Sequence, residues 1–130
     1  MLGQAIQSKP LNLLTTLPFQ SIVETQTMNK IQIAFEKKNI VWRQHALERM
    51  LERKISRKDV SHIVKKGEMI ESYPSATPYP GFLISGVSGD RRIHVVIAWD
   101  ESANFVYVIT AYIPDMEHFQ ENGITRKERE

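Results

Sequence analysis

The sequence predicts an α+β fold, with N-terminal helices followed by an antiparallel sheet of about four strands and one sheet face covered by the helices. Two observations carry this expectation. Apolar residues recur with the 3.6-residue period of helices up to Gly67 and with the two-residue period of strands after it. The helical segments all precede the strand segments, which is the order of an α+β rather than an alternating βαβ chain. The 130 residues suit one ordinary domain, and 42% hydrophobic with 25% charged residues is the composition of a folded soluble protein.

Taken in order, residues 1–25 read as an N-terminal arm, broken by Pro10 and Pro18, with Ser, Thr and Gln mixed among the leucines. Residues 26–115 read as a single α+β domain, and residues 116–130 as a polar C-terminal tail. A first helix is expected from about Met28 to Lys38, on the spacing of Ile31, Ala34 and Phe35, with Thr25 or Thr27 as its cap. A second is expected from about Trp42 to Lys54. At 100° per residue it has Ala46, Leu47, Met50 and Leu51 on a core face and His45, Arg49 and Arg53 on a basic stripe beside it. The third helix has the clearest ends. Ser56 and Asp59 form an S-x-x-D capping box, and Ile55 and Val60 are placed as a hydrophobic staple. Lys65 and Lys66 suit its last turn, and Gly67 suits the C′ position.

Strands are expected at Met69–Tyr73, Phe82–Val87, Arg91–Trp99 and Phe105–Ala111, the middle pair joined by a hairpin turn at Ser88-Gly89-Asp90. Pairing Trp99 with Phe105 puts Ile93, Ile97, Tyr107, Ile109 and Ala111 on the core face. The outer face then carries Arg92 across from Tyr112 and His94 across from Thr110, continuing into Val96, Ala98, Val106 and Val108. A slip of one residue would scatter this cluster.

The 17 Lys+Arg against 15 Asp+Glu give a net charge of +2, too small an excess to diagnose nucleic-acid binding alone. With no cysteine, disulfide frameworks, thiolate metal sites and cysteine catalysis are excluded. No apolar run reaches membrane-spanning length, and Leu11-Asn12-Leu13-Leu14 lacks the flanks of a signal peptide, so a cytoplasmic protein with no membrane partner is expected. His45, His62, His94 and His118 show no metal-ligand spacing, and no Gly-rich phosphate loop, nucleophile elbow or dinucleotide fingerprint is present. Neither a metal nor a cofactor is expected.

Two groups remain that could carry chemistry. The stripe of His45, Arg49 and Arg53, with Lys54, could contact phosphates and move a proton; the same spacing describes a solvated face whose arginines pair with Glu48 and Glu52. Arg92, His94, Thr110 and Tyr112 could bind a phosphodiester, or could be the ordinary polar surface of a sheet. RNA cleavage is the reaction most accessible to His, Arg, Lys and Tyr, because the 2′-hydroxyl is a built-in nucleophile. The protein need only take its proton, stabilise the extra charge on phosphorus and protonate the leaving oxygen.

The segment Trp42–Tyr112 resembles the DUF4258 family, through His45-Ala46-Leu47-Glu48-Arg49-Met50, Glu52-Arg53-Lys54-Ile55-Ser56, Asp59-Val60 and Gly67-Glu68-Met69-Ile70-Glu71. The resemblance continues through Ile93-His94-Val95-Val96 and Ile109-Thr110-Ala111-Tyr112. It implies a RelE/BrnT-like fold and similarity to RelE, BrnT and MqsR toxins of type II toxin–antitoxin systems. It also implies a metal-independent endoribonuclease held by a cognate antitoxin, often a zinc-finger protein. His45, Arg49, Arg53, Glu68, His94 and Tyr112 carry over as shared positions. Together with the residue chemistry, this makes His45, Arg92, His94 and Tyr112 the expected catalytic set and Arg49, Arg53 and Lys54 the expected RNA contacts. Two other classes compete: a non-catalytic module that binds protein or nucleic acid through the same basic surface, and a structural protein of a mobile element. A homo-oligomer is compatible with all three.

Overall fold

The computed structural model describes residues 19–114. Chain order is α1 (Phe19–Glu36), β1 (Ile40–Trp42), α2 (Gln44–Glu52), α3 (Arg57–Lys66), β2 (Glu68–Tyr73), β3 (Gly81–Ser88), β4 (Arg91–Asp100) and β5 (Phe105–Tyr112). The strands form one mixed sheet in the order β1-β5-β4-β3-β2. Strands β2 to β5 make the expected antiparallel meander, and β1 joins its β5 edge in parallel. The sheet therefore has five strands rather than four. Ile40-Val41-Trp42 is β-branched and aromatic, as a strand should be, but three residues are too few to show a two-residue period.

Helix α1 starts at Phe19, well before Met28, so Thr25 and Thr27 lie inside it rather than capping it. The rest of the expected arm and the expected tail at 116–130 lie outside the described residues. Its core contribution comes from its second half, through Ile31, Ala34 and Phe35. Helix α2 is shorter than expected because Trp42 belongs to β1. It buries Ala46 and Met50, but Leu51, expected on its core face, is 81% exposed.

Both α1 and α2 end without glycine, in the same way. After α1, the Lys38 N–H donates to Phe35 O at 3.1 Å and the Asn39 N–H to Ala34 O at 2.9 Å. After α2, the Lys54 N–H donates to Leu51 O at 3.2 Å and the Ile55 N–H to Met50 O at 2.8 Å. These are Schellman endings with lysine in the left-handed position, at φ 64° for Lys38 and φ 58° for Lys54. Ile55 and Met50, the two residues such an ending brings together, are both buried in the core.

Helix α3 has the capping box the sequence predicts. The Ser56 N–H donates to Asp59 Oδ2 at 2.9 Å, and the Asp59 N–H to Ser56 Oγ at 3.0 Å. Gly67 follows it in extended conformation, φ −83°, and not left-handed as the C′ assignment expects. Glycine is needed there for another reason. A Cβ at this position would lie 2.4 Å from Ser85 O and 2.6 Å from Ile63 O. The turn into β2 passes too close to β3 for any side chain.

The register of β4 with β5 differs from the expected one. Asp100 pairs with Phe105, Trp99 with Val106 and Ile97 with Val108. A bulge at Ile109 then shifts the ladder so that Val96 pairs with Thr110, Val95 with Ala111 and His94 with Tyr112. Val106, Val108 and Ala111 therefore face the helices, while Tyr107 turns outward. The core lies between the sheet's inner face (Phe82, Ile84, Ile93, Val95, Ile97, Trp99 and the three β5 residues) and the buried stripes of the three helices.

Asp59 does more than cap α3. It accepts from Ser88 Oγ at 2.7 Å and pairs with Arg91 at 3.4 Å, fastening the β3–β4 hairpin to the helix start. The Ser56 N–H bond, with that of Ser88, holds its carboxyl below the ordinary 3.8. A depressed carboxyl contributes stability above its unfolded pKa and loses it as pH falls through the folded value. Asp59→Ala should cost about 1–2 kcal/mol at neutral pH, the scale of a lost N-cap. The gap between the two melting curves should close as the pH drops below 3.8. A gap independent of pH would show that the carboxylate charge is not involved.

The left-handed lysines give a second expectation. Lys54→Gly relieves a side-chain clash that costs an L-residue about 1–2 kcal/mol, partly offset by glycine's greater freedom in the unfolded chain. The variant should be more stable by about 0.5–1 kcal/mol in urea denaturation. A less stable variant would mean that the Lys54 side chain contributes packing outweighing the strain.

Candidate functional site on the outer sheet face

The face of the sheet turned away from the helices carries, on adjacent strands, Ser85 of β3, Arg92 and His94 of β4 and Tyr112 of β5. Ser85 is paired in register with His94, and His94 with Tyr112. The His94 and Tyr112 rings lie 5.5 Å apart, centroid to centroid. Arg92 donates from Nη1 to Ser85 Oγ at 2.9 Å, which fixes the guanidinium beside the imidazole column. Three of the four expected catalytic residues thus share one short stretch of one face. His94 faces Tyr112 and not Thr110, and Arg92 pairs in register with Val87 and not Tyr112, because the Ile109 bulge moves the ladder.

Burial divides the cluster. Arg92 and Tyr112 are half-buried, whereas His94 is 0% and Ser85 1% exposed. Glu68, on the outermost strand β2, stands opposite Ser85 and is exposed.

The fourth expected catalytic residue, His45, is elsewhere. It lies at the start of α2, in the helical layer, with its side chain 93% exposed and Nδ1 3.6 Å from Glu48. Arg49 pairs with Glu52 at 3.5 Å, also in solvent. Exposed pairs of this kind contribute about 0–1 kcal/mol and describe the solvated face the spacing allowed. Arg53, about 12 Å farther along the helix than His45, is different. It reaches β5 where β1 no longer covers that edge, donating to Ala111 O at 2.8 Å and Thr110 Oγ1 at 3.4 Å. One residue of the basic stripe therefore meets the strand that carries Tyr112, and the rest of the stripe does not.

Lys54 takes part through its backbone. Its carbonyl accepts from Arg91 Nη2 at 2.7 Å, and the Arg53 carbonyl accepts from Arg91 Nη1 at 3.2 Å. Arg91 thus satisfies carbonyls at the end of α2 and holds the strand whose next residue is Arg92.

At the other end of the outer face, sequence reasoning missed an aromatic group. Tyr79 stacks on Tyr107 at 5.3 Å, and the Arg43 guanidinium lies 5.4 Å from the Tyr107 ring centroid. The Tyr79 hydroxyl is held above its ordinary 10.0 by its bond to Tyr107 and by the Asp100 carboxylate. Burial raises the Asp100 carboxyl, but bonds from Ser102, the Ala103 N–H and Tyr79 outweigh it and leave the group below its ordinary 3.8. Tyr79 sits in a Pro-rich loop, so no periodicity could have placed it on Tyr107. Ser85 was hidden for the opposite reason, as a small polar residue inside an otherwise apolar strand.

Among the described residues, no group of three or more His, Asp and Glu is placed to hold a metal ion, and no helix is long and apolar enough to cross a membrane. No curated protein and no solved structure matches the chain. One family profile does, over residues 42–113, from β1 to just past the end of β5, with the entire outer-face cluster inside it. The matched stretch is more than half of the sequence, and the chain belongs to the family described as Domain of unknown function (DUF4258).

Proposed function

We propose that this chain is the toxin of a type II toxin–antitoxin pair, a RelE/BrnT-like endoribonuclease that cleaves RNA without a metal ion. The observation that carries the reading is the placement of Arg92, His94 and Tyr112 on one sheet face, with Ser85 holding the guanidinium in place. In this reading Arg92 clamps the scissile phosphate and stabilises the charge that builds on it. His94 takes the proton from the 2′-hydroxyl, whose oxygen attacks phosphorus. The P–O5′ bond breaks, a 2′,3′-cyclic phosphate forms, and the departing 5′ oxygen receives a proton from the Tyr112 hydroxyl or from the imidazole. His45, Arg49 and Lys54 contact neighbouring phosphates along the strand, and Arg53 supports the β5 edge.

His94 is fully buried, so this chemistry requires the outer face to open around the imidazole when RNA binds. The same burial favours a second reading, a module that binds RNA or protein through Arg92 and the basic stripe without cutting. A cognate antitoxin, a zinc-finger protein on the family resemblance, would cover the surface in either case. Complementary acidic charge would speed its capture.

Purified protein incubated with RNA in the presence of a chelator separates the two. The ribonuclease reading expects fragments ending in 2′,3′-cyclic phosphate. Arg92→Ala and Tyr112→Phe should each slow their release on the order of 100-fold with unchanged melting temperatures. RNA that is bound but left intact by the wild-type protein leaves the binding module as the function.

A further inference from the structure

A groove of about 750 Å³ lies on the helical side of the molecule, between the end of α1, β1 and the solvent face of α3. It contains none of the outer-face residues. Its walls carry Lys38, Arg57, Lys58 and Lys65, with His62 between them and Trp42 at its β1 side. Two carboxylates oppose these four cations, Glu36 and Asp59. Asp59 is committed to Ser56, Ser88 and Arg91. None of the four cations is in an ion pair among the described residues. The groove therefore presents an uncompensated positive surface within a protein that is nearly neutral overall.

Trp42 sets the kind of ligand. Its half-buried indole is held edge-on by Phe35, ring centroids 6.3 Å apart, and the Arg57 guanidinium lies 5.4 Å from its centroid. From Arg57 to Lys65 the basic face of α3 runs about 12 Å, the axial length of about three to four stacked phosphates. A cationic track beside an aromatic ring is the arrangement that binds single strands, with phosphates on the lysines and a base against the ring. A duplex keeps its bases stacked inward and offers nothing to an indole in a concave groove.

We infer that this groove is a binding site for single-stranded nucleic acid, engaging phosphates through Arg57, Lys58, Lys65 and Lys38 and a base through Trp42. The site stands apart from the proposed cleavage cluster, so it can exist whether or not the protein cuts RNA.

The test is fluorescence anisotropy of the full chain with a labelled 12-nucleotide oligouridylate over a range of salt, together with tryptophan emission. Binding should weaken linearly on a log–log salt plot. Arg57→Ala/Lys58→Ala/Lys65→Ala should bind on the order of ten-fold or more weaker, with a slope shallower by about 2. Oligouridylate should quench emission in the wild type and not in Trp42→Phe, since Trp99 is buried in the core. The three substituted side chains are exposed, so the melting temperature should be unchanged. Lys58→Glu alone gives a second check and should weaken binding in the same direction. Undiminished binding by the triple variant and by Lys58→Glu overturns the inference. So does a polyglutamate peptide of matched charge that binds as tightly with the same dependence on the three residues, which would identify an acidic peptide as the occupant.

Discussion

One extra residue in β5 sets what both faces of the sheet can be. Up to Val108 the strand points its even-numbered side chains into the core, and after the Ile109 bulge it points Ala111 inward. Without the bulge, Thr110 and Tyr112 would continue the even-numbered series toward the helices, and the hydroxyl of Tyr112 would need a partner inside an apolar core. With it, Tyr112 stands across from His94 on the outer face. The bulge falls just past the last pairing of β1 with β5, Trp42 with Val108. There β5 loses its parallel neighbour and its edge becomes free to bend. Arg53 then donates to the Ala111 carbonyl, so the edge that β1 leaves open is not left unsatisfied.

The helices are joined to the sheet and to one another largely through their ends. Arg91 reaches from β4 to the carbonyls of Arg53 and Lys54, and Gln32 of α1 donates from Nε2 to Val64 O and Lys65 O at 3.2 Å. Carbonyls in a last helical turn have no partner within the helix, so each is a strong and directional acceptor. Fastening elements at these points fixes their orientation more tightly than apolar packing alone, which tolerates sliding. The β3–β4 hairpin benefits most. Gly89, at φ 65°, makes the tight two-residue turn, and Ser88 and Arg91 on either side of it both bond Asp59. Arg92 follows directly, so the guanidinium of the outer-face cluster is placed by a chain of bonds that begins at the α3 capping box.

What could be read from the sequence follows from how local each determinant is. The capping box of Ser56 and Asp59 and the hairpin at Gly89 depend on residues within a few positions of one another. The change of period at Gly67 is similarly local, and all three are written plainly. The Schellman endings at Lys38 and Lys54 are local too, but they lack the glycine that marks such ends. The register of β5 is set by side chains arriving from α2 and by the short β1, and no pattern within Phe105–Tyr112 announces a bulge. Taking odd-numbered residues as inward-facing gave Ala111 and the outward Tyr112 correctly, because the bulge restores that parity, while misplacing Val106, Tyr107 and Val108. The site was legible in the same uneven way. Arg92, His94 and Tyr112 come together on neighbouring strands. His45 belongs to a helix whose rotation about its axis is visible in sequence but whose position over the sheet is not.

The two faces present their charges in physically different ways. On the outer face Arg92 is held by Ser85, and His94 and Tyr112 are fixed by the ladder itself. Little conformational entropy remains to be lost there when a ligand is bound, which suits groups that must meet a reacting phosphate in one geometry. On the helical side Lys38, Lys58 and Lys65 are long, exposed and unconstrained by ion pairs among the described residues. Such ammonium groups act as mobile point charges that can follow a flexible backbone without dictating its geometry. The α2–α3 junction connects the two. Arg57 and Lys58 line the groove, and Asp59 beside them holds Arg91, which precedes Arg92 on the outer face. A strand lying along α3 toward Ser88 and Gly89, which also line the groove, would therefore approach the hairpin whose far side carries the outer-face guanidinium. Capture by mobile lysines and engagement by fixed groups are then arranged in sequence along one path, with the capping box as the structural element common to both.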